Sequence, residues 1–142
     1  LRFFLDENLP ATLREPLSAV YYDHDFVSGH GTDLVGEPDL ALFPALAARG
    51  YDALVTQDKA QLSDEDERRA LYDAGLHWVG LSMKSHKGLR GIALMSAAVV
   101  AGVSYVLDDW RSEPHAYRLR GVESEASQRV KCEAVRLSSW TV

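Results

Sequence analysis

Cysteine is nearly absent: Cys132 is the only one in 142 residues. A disulfide within the chain and a cysteine-built zinc site are therefore excluded. The pattern fits a reducing, cytoplasmic compartment. Basic residues are in deficit, 15 against 21 acidic, for a net charge of −6. That balance excludes broad electrostatic attraction to nucleic acid or to an anionic membrane. The five histidines show no HxH or HxxxH spacing, so no histidine metal site is expected. Ser28-Gly29-His30-Gly31 is glycine-rich but lacks the Lys-Ser/Thr of a phosphate loop. No apolar run reads as approaching the roughly 20 residues of a membrane span. No basic region followed by an apolar stretch and a cleavage site marks a signal peptide. No membrane partner is expected.

The length suits one domain with its own core, and the charge within it is uneven. Residues 1–75 hold 15 acidic and 6 basic residues, a net −9, whereas residues 76–142 hold 6 and 9, a net +3. The chain also alternates two kinds of pattern. Arg2-Phe3-Phe4-Leu5 is a buried strand that stops at Asp6-Glu7-Asn8. A helix is predicted from Pro10 to Val20, kinked or shortened by Pro16 and with Asn8 as its cap. Val20–Tyr22 reads as a second strand, residues 28–38 as a loop, and Asp39 to Arg49 as a helix stopped by Gly50. Asp52–Thr56 is a third strand. Ser63 opens a capping box for a helix running to Ala74. His77–Leu81 is a fourth strand. Leu89 to Val100 is an apolar helix closed by Gly102, and Ser104–Leu107 is a fifth strand. Tyr117–Arg120 and Val130–Leu137 alternate with period two, which predicts a half-exposed antiparallel hairpin.

This order implies an α/β fold: three α/β/α layers about a central, mostly parallel sheet, with a C-terminal β-hairpin extension. The expected division is residues 1–107 for the sheet domain and 108–142 for an extension packed on it. In such sheets the functional crevice lies beyond the carboxyl ends of the strands. Asp6 ends the first strand and Asp58 follows the third. Glu37 and Asp39 flank a helix start at the same edge, and Asp64 and Asp66 open the next helix. Two like charges about 4 Å apart repel by roughly 4 kcal/mol at an effective dielectric near 20. Protonation, a neighbouring base or a divalent cation relieves that cost. Oxygen ligands without cysteine or paired histidine favour Mg²⁺ or Mn²⁺, the ions suited to phosphodiester hydrolysis. Carboxylates at helix starts also serve as caps, and that alternative stands for Asp64 and Asp66.

Phe3-Phe4-Leu5-Asp6-Glu7-Asn8-Leu9-Pro10 resembles the opening of the PIN-like families. The likeness continues through Gly36-Glu37-Pro38-Asp39 and Ala53-Leu54-Val55-Thr56-Gln57-Asp58-Lys59. It implies a compact nuclease fold with an acidic Mg²⁺ or Mn²⁺ pocket. Asp6 and Asp58 then match the family's catalytic acids and Asp39, or Glu37, the middle one, with Glu37 or Asp64 completing the metal set. Many similar proteins are ribonuclease toxins of the VapC type. The resemblance thus implies an RNA substrate and an antitoxin partner; a homodimer is a separate candidate, for which the sequence carries no signal. Related sequences often carry a second acid where this chain has Ala60.

Asn8, Thr56 and Lys59 flank these acids as candidates for substrate contact. Lys84 and Lys87, with His86 and Arg90, form a basic loop expected at the same edge, next to a helix start that adds N–H donors for phosphate. Trp110 and Trp140 are candidates for base stacking, or for packing the tail.

Overall fold

The computed structural model describes residues 1–57, 61–82, 88–122 and 125–137. Its centre is a five-stranded sheet in which every pairing is parallel. The strands are β1 (Arg2–Leu5), β2 (Asp25–Ser28), β3 (Ala53–Thr56), β4 (His77–Ser82) and β5 (Ala116–Arg120), in the order β2-β1-β3-β4-β5. The helices are α1 (Arg14–Val20), α2 (Asp39–Ala48), α3 (Glu65–Asp73), α4 (Gly88–Asp108) and the short α5 (Ala126–Arg129).

Alternate residues of each strand feed two cores. Phe3, Leu5, Val55, Val79 and Leu119 face Leu13, Leu17, Val99 and Val103 on the side of α1 and α4. Phe4, Leu54 and Trp78 face Leu42, Phe43, Leu46 and Leu71 on the side of α2 and α3. Three layers follow because both faces of a parallel sheet must be covered. Pro16 shortens the first helix as expected. A 3₁₀ turn at Ala11–Leu13 precedes α1, and Pro16 falls in the first turn of α1, where its missing N–H costs nothing.

Four elements differ from the sequence reading. The second strand is Asp25–Ser28, not Val20–Tyr22. Val20 ends α1 and is exposed, whereas Phe26 is buried with its ring stacked on Phe3 at 4.9 Å. The cap of α3 is Asp64, not Ser63, since the Asp64 carboxylate accepts from the N–H groups of Asp66 and Glu67. Helix α4 does not stop at Gly102, and Ser104–Leu107 is helical. Gly102 is a contact point: a Cβ there would lie 2.7 Å from Leu119 Cδ2 on β5. The antiparallel hairpin is not formed. Tyr117–Arg120 is indeed half-exposed, but as an edge strand running parallel to β4, and Val130–Leu137 carries no strand. The sheet therefore continues through residue 120. In its full length α4 is also long and apolar enough to cross a bilayer, contrary to the sequence reading. Here Ala98, Val99, Val103 and Val106 pack its inner stripe on the sheet.

His77 joins three of these elements. Its Nδ1 accepts from the His115 N–H at 3.1 Å just before β5. Its ring lies 4.0 Å from Trp110 just after α4, and Trp110 stacks on Tyr117 of β5. Trp110 thus packs against the core with one part of its ring system, as the packing alternative expects. Burial and then the neighbouring His115 hold the His77 pKa below its ordinary 6.5, outweighing Asp52 and a backbone hydrogen bond at Arg111. An unfolded chain protonates this imidazole first. The stability it contributes is present above about pH 6.5 and is lost as the pH falls through the depressed folded value. The urea midpoint of the wild type should therefore fall more than that of His77→Gln between about pH 7.5 and about pH 5.5. Parallel loss in the two proteins would contradict this role.

Candidate active site

Parallel pairing sets the site. Phe4 lies opposite Leu54 and Leu5 opposite Val55, so Asp6 leaves β1 level with Thr56 at the end of β3. The Asp6 N–H donates to the Val55 carbonyl at 2.9 Å, holding the chain in register one residue past the strand. The Asp6 carboxylate then projects over the carboxyl edge of the sheet. Its Oδ2 accepts from Thr56 Oγ1 at 2.8 Å and its Oδ1 from the Glu7 N–H at 2.8 Å.

Thr56 is fully buried. Having spent its one proton on Asp6, it accepts from Asn8 Nδ2 at 3.1 Å. Asn8 Oδ1 in turn accepts from the Gln57 N–H at 3.2 Å, which fixes the amide's orientation. Asn8 therefore ties the ends of β1 and β3 together. It does not cap the first helix, where the turn Ala11–Leu13 has no side-chain cap. Of the candidates for substrate contact, Thr56 and Asn8 orient Asp6.

Asp39 arrives from the other side of the cleft as the first residue of α2, where a carboxylate complements the helix dipole. Its Oδ1 accepts from Gln61 Nε2 at 3.0 Å. Asp6, Asp39, Glu7 and Glu37 line one cleft of about 170 Å³, with Gln61, Asn8 and the apolar Phe4, Leu34 and Leu42. The Glu7 carboxylate is held by the Gly36 N–H at 3.1 Å. No lysine, arginine or histidine lines the cleft among the described residues. Burial raises the Asp6 pKa above its ordinary value. The hydrogen bonds from Thr56 and Glu7 oppose this, and the charges of Asp39 and Glu7 add to it.

Asp6, Asp39 and Glu37 are thus brought together as the sequence suggests. Asp64 is not among the lining residues, because it is committed to capping α3. Asp58, Lys59, Ala60, Lys84, His86, Lys87 and Trp140 lie outside the described residues. Glu7 and Gln61 join the cleft without having been singled out. Glu7 was legible as the neighbour of Asp6, whereas nothing in the pattern marked Gln61.

The acidic side chains of the cleft offer oxygen donors, which suit a hard divalent cation. Among the described residues no group of three acids, histidines or cysteines is placed to hold an ion, so an ion held by Asp6 and Asp39 would need further ligands. This arrangement has a measurable cost. A raised Asp6 pKa means that the fold disfavours the ionised carboxylate, so stability is lost as the pH rises from 3.8 through the folded value. Without metal at neutral pH, Asp6→Asn should melt at or above the wild-type temperature, with its advantage shrinking towards acid pH. Added Mg²⁺ should raise the melting temperature of the wild type alone. A variant markedly less stable at neutral pH would contradict the assignment.

No curated protein and no solved structure matches the chain. A family model described as PIN like domain matches residues 1–83. That stretch holds β1 to β4 and the positions Asp6, Asp39 and Asp58. PIN-like domains are nuclease-type folds that generally use divalent metals. On the match over more than half of its length, together with the all-parallel sheet between two helical layers, the chain belongs to the PIN-like domain family.

Proposed function

We propose that the chain is a metal-dependent endoribonuclease that hydrolyses RNA phosphodiester bonds. The observation that carries this reading is the convergence of Asp6, Glu7, Glu37 and Asp39 on one cleft at the carboxyl edge of the sheet. Asp6 and Asp39 would hold Mg²⁺ or Mn²⁺, joined by Asp58, two residues past β3 in the sequence, and by Glu37. A bound ion of this kind acidifies a water and neutralises charge on the phosphate and leaving oxygen. The chain's own part is to hold the ligands still. Thr56 and the Glu7 N–H fix the plane of the Asp6 carboxylate, and Gln61 fixes one oxygen of Asp39. Lys59, Lys84 and Lys87 are proposed as contacts to the RNA backbone, which such side chains position without reading sequence. The likeness to toxin ribonucleases supports a cytoplasmic toxin restrained by an antitoxin protein.

The acids give the test. Wild-type protein with Mg²⁺ or Mn²⁺ should cut mixed RNA, and chelator should stop it. Asp6→Asn and Asp39→Asn should each lower the rate by at least about 100-fold while remaining folded. Cleavage undiminished in both variants would overturn the proposal. A non-catalytic PIN-like module that binds RNA or protein is the second reading. It is favoured by Ala60, where related sequences often carry an acid. Calorimetry with Mn²⁺ on folded wild-type protein separates the two, since absence of binding supports the module and excludes the nuclease.

A further inference from the structure

Among the described residues Gln61 is one of three polar or charged ones buried in the core, with 1% of its surface exposed. It lies between Trp78 and Asp39. The Trp78 indole Nε1–H donates to Gln61 Oε1 at 2.9 Å, and Gln61 Nε2 donates to Asp39 Oδ1 at 3.0 Å. An indole nitrogen can only donate. The Gln61 oxygen must therefore face Trp78, and its NH₂ must face the carboxylate. The amide cannot flip without setting donor against donor at one end and acceptor against acceptor at the other. The indole has its place because residue 80 is glycine. A Cβ at that position would fall 1.9 Å from Trp78 Cη2, so the ring lies flat across the space a side chain would fill.

We propose that Gln61 is a positioning residue for the metal ligand Asp39, holding its carboxylate in one orientation through a relay anchored on Trp78. This inference rests on the metal-binding reading above. The relay uses Oδ1 of Asp39 and sets the direction in which Oδ2 is presented to the cleft. A neutral amide does this without bringing a counter-charge that would compete with a cation. Partners of this kind, one bond removed from the ion, commonly govern metal affinity about 10–100-fold.

Mg²⁺ titration of the full-length, ¹⁵N-labelled protein tests the relay, with binding measured in parallel by calorimetry. The Trp78 indole signal, assigned by its disappearance in Trp78→Phe, should shift with the same midpoint as the calorimetric curve. Gln61→Met keeps the side chain's length and loses both hydrogen bonds. It should keep its melting temperature within a few degrees and bind Mg²⁺ about 10–100-fold more weakly. Gln61→Glu keeps the acceptor for Trp78 but turns a carboxylate towards Asp39, and should weaken binding through the changed geometry while the indole hydrogen bond survives. Tight Mg²⁺ binding by the wild type with an unmoved Trp78 signal, and with equal affinity in Gln61→Met, would overturn the relay and leave the metal site standing. No Mg²⁺ binding by the wild type would remove the metal site and the relay with it. Should Gln61→Met fail to fold, Trp78→Phe takes its place: weakened affinity supports the relay and unchanged affinity overturns it.

Discussion

The parallel register of β1 on β3 is the constraint on which the site depends. Side chains alternate along a strand, so a slip of one residue would exchange every face of β1. Phe3 and Leu5 would leave the core they share with α1 and α4, and Phe4 would leave the one it shares with α2. The two large cores lock the register, and the locked register puts Asp6 beside Thr56. The polar geometry is thus set by apolar packing. The hydrogen bonds at the strand ends refine a position that burial has already chosen.

Around that position the structure repeats one device. A donor anchored in the core points outward to a carboxylate, once through Thr56 to Asp6 and once through Gln61 to Asp39. Each intermediary has a second partner that holds it, Thr56 in Asn8 and Gln61 in the buried Trp78. Hydrogen bonds to ionised groups are roughly twice as strong as neutral ones, yet at Asp6 burial still outweighs them. The cleft is a place where the fold tolerates charge it would otherwise avoid. Such local cost is characteristic of sites shaped for a ligand rather than for stability alone.

Much of this was legible in the residues. Short apolar runs ending in Asp6 or Thr56 announced buried parallel strands, and strand ends announced where the acids would meet. Asp39 was legible because a Gly-Glu-Pro-Asp turn opens a helix at that edge. What misled was always a local signal with two physical causes. Gly102 has the composition of a helix stop, but it is there to admit Leu119. Period-two alternation at Tyr117–Arg120 marks any half-exposed strand, and an edge strand of a parallel sheet is half-exposed without a hairpin. Asp64 is acidic at a helix start, where a cap and a metal ligand look alike in sequence. Gln61 was invisible because its role is defined by two partners distant in the chain and by nothing in its own neighbourhood.

The hydrogen bond from Thr56 to Asp6 spans 50 residues of sequence. Its consequence reaches folding itself. Closing a loop of that length must precede the contacts that reward it, and parallel strands joined by such crossovers assemble slowly. No fragment that lacks β3 can hold Asp6 in place, and no partly opened form that frays β1 from β3 retains the cleft. The acids therefore come together only with the central pairing of the sheet. The chain passes from charges held apart to charges held close in the step that completes its core.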